Sequence, residues 1–177
     1  RVTRAVPDGG PIEAHTDLVT KLDYECELAV VLGRDARDVS AGQTRDYIFG
    51  YTILNDVSAR DVQTAHKQWY FGKSLDGFTP IGPCIVTADA FADYPPRLGI
   101  RSFVNGEKRQ DSNTALQIFD IDHVIAELSQ GMTLKAGTII ATGTPAGVGM
   151  GMDPPQFLKP GDVVRCEIDG IGTLTNP

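Results

Sequence analysis

The stretch Tyr24-Glu25-Cys26-Glu27-Leu28-Ala29-Val30-Val31-Leu32-Gly33 decides the fold, because it combines a buried strand with two acidic residues. It is apolar, contains β-branched residues and ends at a glycine, which predicts a strand inside the protein. Side chains two apart on a strand share a face, so Glu25 and Glu27 point the same way and Cys26 points the opposite way. Two adjacent carboxylates repel each other unless a cation neutralises them.

A hard divalent cation is the usual partner of such a pair, because oxygen ligands suit Mg2+, Mn2+ or Ca2+. Asp56 ends a second apolar run, Ile53-Leu54-Asn55-Asp56, and is the candidate for a third oxygen ligand. The spacing leaves another interpretation open, in which Glu25 and Glu27 lie on the solvated face of an edge strand.

The composition bounds the class of protein. With 177 residues, 41% of them hydrophobic, the chain can build one sizeable core in one domain. The net charge of −7 argues against nucleic acid or an anionic membrane surface as the main partner. No run approaches eighteen apolar residues, so no membrane span is predicted. The three cysteines lie in apolar strand-like runs without metal-site spacing, which predicts free buried thiols and a reducing cytoplasm.

Strands outnumber helices in the pattern of the sequence. Six strand-like runs are predicted, at 25–32, 50–55, 82–87, 100–104, 137–142 and 162–168. Asn105-Gly106 and Asp169-Gly170 are typical hairpin turns, and Gln110 is assigned to the first hairpin as a structural residue. One amphipathic helix is predicted after the N-cap Asp120, with a C-terminal stop at Gly131, and a shorter helix at 44–49. The apolar stripe of the first helix consists of Ile121, Val124, Ile125 and Leu128. This arrangement favours an antiparallel-rich α+β domain.

Three further segments carry unusual patterns. They are Asn55-Asp56-Val57-Ser58-Ala59-Arg60-Asp61-Val62-Gln63, Gly72-Lys73-Ser74-Leu75-Asp76-Gly77-Phe78-Thr79-Pro80 and Thr142-Gly143-Thr144-Pro145-Ala146-Gly147-Val148-Gly149. Together with Glu25-Cys26-Glu27, in this order and spacing, they resemble the fumarylacetoacetate hydrolase family in its catalytic C-terminal domain. The resemblance runs from about Leu22 to the end of the chain. It implies a mixed β-sandwich roll with a few peripheral helices, one catalytic domain over 1–177, and a homodimer.

The resemblance also implies roles for individual residues. Glu25, Glu27 and Asp56 would bind one Mg2+ or Mn2+, with Ca2+ as a further possibility. Three carboxylates around a divalent ion leave the site negative, so an anionic substrate needs additional positive groups.

Arg60 and Lys73 are the candidate catalytic cations, and Arg60, Gln63, Lys73 and Thr144 are the candidate substrate contacts. The structural alternatives are an ion pair of Arg60 with Asp56 or Asp61, a solvated Lys73, and a plain Gly/Pro turn around Thr144.

The activity implied first is metal-dependent hydrolysis of a C–C bond in an acylpyruvate-type 2-oxo acid through a metal-bound pyruvate enolate. The first alternative is a decarboxylase or isomerase of oxaloacetate-like or 2-hydroxy-dienedioate substrates. The second is a metal-stabilised binding domain without turnover. Hydrolytic members use a His–Glu pair about forty residues before the Glu25 position, which lies upstream of Arg1. His15 lies too close to Glu25 to match that pair, and His66 and His123 are interpreted as ordinary surface or helix residues.

Overall fold

Two four-stranded sheets account for most of the computed structural model, which describes residues 4–65 and 67–177. The strands are β1 (Leu22–Asp23), β2 (Cys26–Leu32), β3 (Ile48–Asn55), β4 (Ser58–Ala59), β5 (Ile81–Thr87), β6 (Gly99–Val104), β7 (Glu107–Asn113), β8 (Ile139–Ala141), β9 (Val164–Ile168) and β10 (Gly172–Asn176). The α-helices are α1 (Arg60–Ala65) and α2 (Ile121–Ser129). Short 3-10 helices lie at Ala41–Tyr47, Phe71–Lys73, Ala88–Ala90, Thr114–Leu116 and Gly149–Gly151. None of the helices described is long and apolar enough to cross a membrane.

The strand pairing is antiparallel throughout the named strands. One sheet has the order β5-β3-β2-β8 and the other the order β10-β9-β6-β7. A small third sheet pairs β1 with β4 and lies at the end of β2 and β3. The α+β sandwich with few helices is therefore confirmed.

The main core lies between the two larger sheets. All of β2 is buried, and its alternate residues Cys26, Leu28, Val30 and Leu32 belong to the core cluster. The second sheet supplies residues of the same cluster from three strands. These are Ile100, Val104, Val164, Cys166, Ile168 and Leu174. Because strand side chains alternate, the other face of β2 is left for Glu27, Ala29 and Val31.

Most of the predicted elements are confirmed, with strand boundaries that agree to within two residues. The Asn105-Gly106 hairpin joins β6 to β7, and both residues have positive φ, as a type I′ turn requires. The hairpin at Asp169-Gly170 joins β9 to β10. Helix α2 begins after Asp120, whose carboxylate accepts a hydrogen bond from the N–H of His123, and Gly131 follows the helix with a φ of 67°.

Three sequence predictions are wrong. The short helix at 44–49 is instead the 3-10 helix Ala41–Tyr47, since β3 already begins at Ile48 to pair with β2. Leu128 is exposed rather than part of the buried face of α2. Cys84 is also exposed, because β5 is the outer strand of its sheet and its middle residues face solvent.

Candidate metal and substrate site

Strand pairing brings the acidic residues of two distant segments together. Cys26 in β2 pairs with Asn55 in β3, and Asp23 in β1 pairs with Ser58 in β4. The short links between these paired strands carry Glu25 on one side and Asp56 on the other. The N–H of Asp56 donates to the carbonyl oxygen of Glu25 at 2.8 Å, so the two links are hydrogen-bonded to each other.

Glu25, Glu27 and Asp56 form a buried carboxylate triad. One oxygen from each lies within 4.8 Å of the others, and the exposed fractions are 8%, 3% and 5%. This burial excludes the interpretation of a solvated edge strand. The N–H of Gly143 donates to Oε2 of Glu27 at 2.8 Å. Burial, followed by the neighbouring Asp56 carboxylate, raises the pKa of Glu27 to about 8.

Two buried cations contact the triad. Lys73 Nζ lies 2.9 Å from Oε2 of Glu25 and 2.7 Å from Oδ2 of Asp56, so it bridges two of the three carboxylates. Arg60 Nη1 lies 2.6 Å from Oε1 of Glu25 and 3.1 Å from Oε1 of Gln63. Lys73 is therefore not a solvated surface charge. Arg60 pairs with Glu25, whereas the structural alternative expected an ion pair with Asp56 or Asp61.

Asp23 is a buried acid that sequence analysis did not single out. Its side chain is fully buried, and its Oδ2 accepts from Arg60 Nε at 2.9 Å and from the N–H of Met150 at 2.9 Å. Its Oδ1 accepts from the N–H groups of Tyr24 and Gly149. Asp23 thus fixes the guanidinium of Arg60. No local pattern marks it, because its partners Arg60, Gly149 and Met150 lie far away in sequence.

The charges of this cluster fit a divalent cation. When all four buried carboxyl groups, from Asp23 and the triad, are ionised, they exceed the two cations Arg60 and Lys73 by two negative charges among the described residues. Burial, followed by this excess of negative charge, raises the pKa of Glu27. Three converging carboxylates are the donor set of a hard ion such as Mg2+, Mn2+ or Ca2+. The triad could therefore hold such an ion.

Thr144 joins the site in a different way from the other predicted residues. Its hydroxyl donates to the carbonyl oxygen of Cys26 at 2.9 Å and accepts from Gln110 Nε2 at 2.8 Å. The hydroxyl proton is thus engaged with the backbone between Glu25 and Glu27. The N–H of Thr144 has no hydrogen-bond partner in the part of the chain that the structure describes.

A cleft of about 440 Å³ lies beside this turn. It is lined by Thr142, Gly143 and Thr144 of the turn and by Gln117, Ile118 and Phe119. Of the predicted substrate contacts, Thr144 lines the cleft, whereas Arg60, Gln63 and Lys73 lie with the triad.

The described histidines contact other parts of the molecule. His15 Nε2 lies 2.8 Å from the carbonyl oxygen of Asp76, and its ring packs edge-on against Phe78. The ring of His123 stacks on Phe119 at 4.6 Å between centroids. The stacking of His123 fits its interpretation as an ordinary surface or helix residue, and His66 lies outside the described residues.

The fold and the site together define a β-sandwich domain with a buried carboxylate triad that could hold a divalent cation. The chain matches the Fumarylacetoacetate (FAA) hydrolase C-terminal family over residues 1–177 and belongs to that family. It is 49% identical over 168 residues to oxaloacetate tautomerase YisK of Bacillus subtilis (strain 168), covering 95% of this chain and 56% of that relative. The chain thus spans just over half the length of this curated relative.

Two solved structures show the same fold. Fumarylacetoacetate hydrolase (EaFAH) from psychrophilic Exiguobacterium antarcticum is 51% identical, with a TM-score of 0.93, covering 96% of this chain and 61% of that chain. A 2-hydroxyhepta-2,4-diene-1,7-dioate isomerase from Mycobacterium marinum is 44% identical, with a TM-score of 0.85, covering 97% and 63%. The family includes enzymes named for tautomerisation and isomerisation as well as for hydrolysis.

Proposed function

We propose that this chain is the catalytic domain of a metal-dependent tautomerase or isomerase, which moves a proton between carbon and oxygen of a small 2-oxo acid of the oxaloacetate class. The observation that carries the proposal is the pair of buried cations attached to the carboxylate triad. Similarity to the Bacillus subtilis tautomerase and the Mycobacterium marinum isomerase supports the same reaction class.

The charge of the site suits an anionic substrate only when a divalent cation is bound. Glu25, Glu27 and Asp56 would hold that cation, and together with Arg60 and Lys73 it would bring the buried cluster to neutrality. When bound, the cation supplies Lewis-acid polarisation of the 2-oxo group.

The donors for the substrate's acid groups come from two sides. Arg60 Nη2 is buried and has no hydrogen-bond partner within the described part of the chain. The N–H of Thr144 is likewise without a partner there, and backbone N–H groups in a turn are suited to a carboxylate. Thr144 would therefore bind substrate through its backbone, while its hydroxyl holds the turn to Cys26.

Proton transfer requires a base for the C3 proton in addition to these groups. In the keto-to-enol direction a base from solvent takes the C3 proton and the C3–H electron pair becomes the C2–C3 double bond. The π electrons of the C2–O bond move to the 2-oxygen, which then takes up a proton from solvent. The Lys73 ammonium, fixed by Glu25 and Asp56, would donate a hydrogen bond to that oxygen as its charge develops. No water needs to be activated as a nucleophile, which agrees with His15 and His123 contacting other groups.

The test is the rate of oxaloacetate keto–enol interconversion, followed by the ultraviolet absorbance of the enol with Mg2+ or Mn2+. We expect catalysis above the metal-only background, loss after chelation, and loss in Glu27→Gln with an unchanged circular dichroism spectrum. Glu107→Gln, which changes an exposed glutamate on β7, is the matched control and should retain the wild-type rate. A Glu27→Gln variant with wild-type activity would refute the proposal.

Hydrolysis of a C–C bond is the second candidate, favoured by the similarity to the Exiguobacterium antarcticum hydrolase. Acetylpyruvate is a suitable probe, because hydrolysis releases pyruvate and acetate whereas tautomerisation leaves its carbon skeleton intact. Release of pyruvate at rates above those of oxaloacetate tautomerisation would make hydrolysis the main reaction. Metal binding without either turnover would instead favour the non-catalytic binding domain.

Self-association as a homodimer is part of the proposal. Leu116, Ile118 and Phe119 are 74%, 92% and 60% exposed on one segment beside the cleft. Adjacent exposed apolar side chains of this kind typically mark an interaction surface, and a second copy is the proposed partner. Light scattering should show a dimer that Ile118→Asp converts to a monomer, whereas Leu18→Asp, at another exposed leucine, leaves it dimeric. A dimer that persists in Ile118→Asp would place the interface elsewhere.

A further inference from the structure

Gln110 is a fully buried amide that connects the two halves of the site. It lies in β7, opposite Ser102 of β6 and next to a break in register between Ser102 and Phe103. Irregularities of this kind change the direction of a strand's side chains. Gln110 shares a sheet face with the core residues Ser102 and Cys166, at the edge where the second sheet meets β2.

The side chain of Gln110 makes three hydrogen bonds. Its Oε1 accepts from the N–H of Cys26 at 3.1 Å, and its Nε2 donates to Thr144 Oγ1 and to the carbonyl oxygen of Pro145, both at 2.8 Å. Thr144 Oγ1 in turn donates to the carbonyl oxygen of Cys26 at 2.9 Å. Gln110, Thr144 and Cys26 therefore form a closed hydrogen-bonded ring. Because the Thr144 hydroxyl accepts from Gln110, its proton points to the carbonyl oxygen of Cys26.

This ring completes the edge of β2 where its neighbour ends. Strand β8 pairs with β2 only from Ala29 to Val31, and after it Thr142 still donates to the carbonyl oxygen of Leu28. The N–H and carbonyl groups of Cys26 lie beyond that ladder, so side chains satisfy them instead. A buried backbone group without such a partner is costly.

We propose that Gln110 is a positioning residue that fixes the spacing between the carboxylate pair and the Gly143–Thr144 turn. Glu25 and Glu27 flank Cys26 directly, and the N–H of Gly143 holds Glu27. A displacement of Cys26 relative to the turn therefore shifts both carboxylates relative to the turn's N–H groups. The inference rests on the proposed metal site, and its effect is on cation affinity before any effect on turnover.

The primary measurement is the Mn2+ dissociation constant, from free Mn2+ observed by electron paramagnetic resonance well below the melting temperature. Loss of a group that orients metal ligands typically costs about 10- to 100-fold in affinity. We expect Gln110→Leu to weaken Mn2+ binding by at least about tenfold. Gln117→Leu is the matched control, because Gln117 Nε2 donates to Thr142 Oγ1 at the same turn without contacting Cys26. It should bind Mn2+ within about twofold of wild type.

A second variant keeps the inference testable if Gln110→Leu does not fold. Thr144 is half-buried. Thr144→Val removes the hydroxyl that bonds to Gln110 and Cys26, whereas Thr144→Ser keeps it. We expect weaker Mn2+ binding in Thr144→Val and wild-type binding in Thr144→Ser. If the two residues act through one ring, the double variant should bind no more than about threefold weaker than the weaker single variant.

The outcomes separate this inference from the proposed function. Folded Gln110→Leu with the wild-type Mn2+ affinity, or fully multiplicative losses in the double variant, would overturn the role of Gln110. Wild-type protein that binds Mn2+ but does not act on oxaloacetate would refute the proposed function and leave the affinity test valid. Wild-type protein that binds no Mn2+ would refute the metal site and this inference together.

Discussion

Replacing Lys73 with methionine removes a buried charge and keeps most of the side-chain volume. Lys73 Nζ lies 2.9 Å from Glu25 and 2.7 Å from Asp56. With an effective dielectric constant of about 20, each contact is worth about 6 kcal/mol of Coulomb energy. Desolvation of the ammonium offsets most of this, and removing one partner of a buried pair costs about 3–5 kcal/mol net. For a chain of this length we expect the melting temperature of the metal-free protein to fall by about 6–20 °C.

The same substitution should strengthen cation binding, because it removes a positive charge beside the triad. Scanning calorimetry without metal should therefore show a lower melting temperature for the variant. Titration with Mn2+ should show a lower dissociation constant, that is, tighter binding. We also expect kcat/KM to fall by more than about tenfold, equivalent to about 1.4 kcal/mol of transition-state stabilisation.

Lys135→Met is the matched control, since Lys135 forms an ion pair with Asp35 at an exposed position. Exposed pairs contribute little, so its melting temperature should stay within about 2 °C of wild type. An unchanged melting temperature in Lys73→Met, or Mn2+ binding that weakens, would refute the idea that Lys73 and the cation neutralise the same carboxylates.

Two further predictions concern protons and packing. Since burial and Asp56 raise the pKa of Glu27 to about 8, the carboxyl group carries a proton at pH 7 that a cation must displace. Mn2+ affinity should therefore rise between pH 6 and 8 and level off above that range. Calorimetry in buffers of different ionisation enthalpy should detect the released proton. A Mn2+ affinity that does not depend on pH would contradict this prediction. A Cβ atom at Gly72 would lie 2.5 Å from the backbone nitrogen of Gln63, so Gly72→Ala should displace the 3-10 helix that carries Lys73 and lower kcat/KM by at least about tenfold. Gly42→Ala, which meets no atom within 4 Å, is the control, and equal kinetics in the two variants would show that this close approach is unimportant.

The sequence predicted the strand that organises the site, because β2 is an apolar run apart from Glu27. Since side chains alternate between the two faces of a strand, Glu27 lies on the opposite face from Cys26. The turn residues also determined their own local structure, since the Asn105-Gly106 hairpin depends on positive φ at adjacent residues. The resemblance of the four segments to the fumarylacetoacetate hydrolase family was confirmed by the family match over the whole chain. The candidate metal ligands are among the motif residues of this family. They lie in or directly beside strands that the apolar pattern of the sequence predicts.

Only the tertiary structure decided which residues outside the four family segments contact the site. Asp23 and Gln110 have no local signal for their roles, since the side chain of each reaches residues more than thirty positions away in sequence. The direction of the Thr144 hydroxyl was likewise set by the Cys26 carbonyl and the Gln110 amide, rather than by the turn itself. The sequence by itself therefore determined the strands, the turns and the acidic motif, because these depend on neighbouring residues. The tertiary structure decided the burial, the charge balance and the hydrogen-bond partners, because these depend on which strands pack side by side.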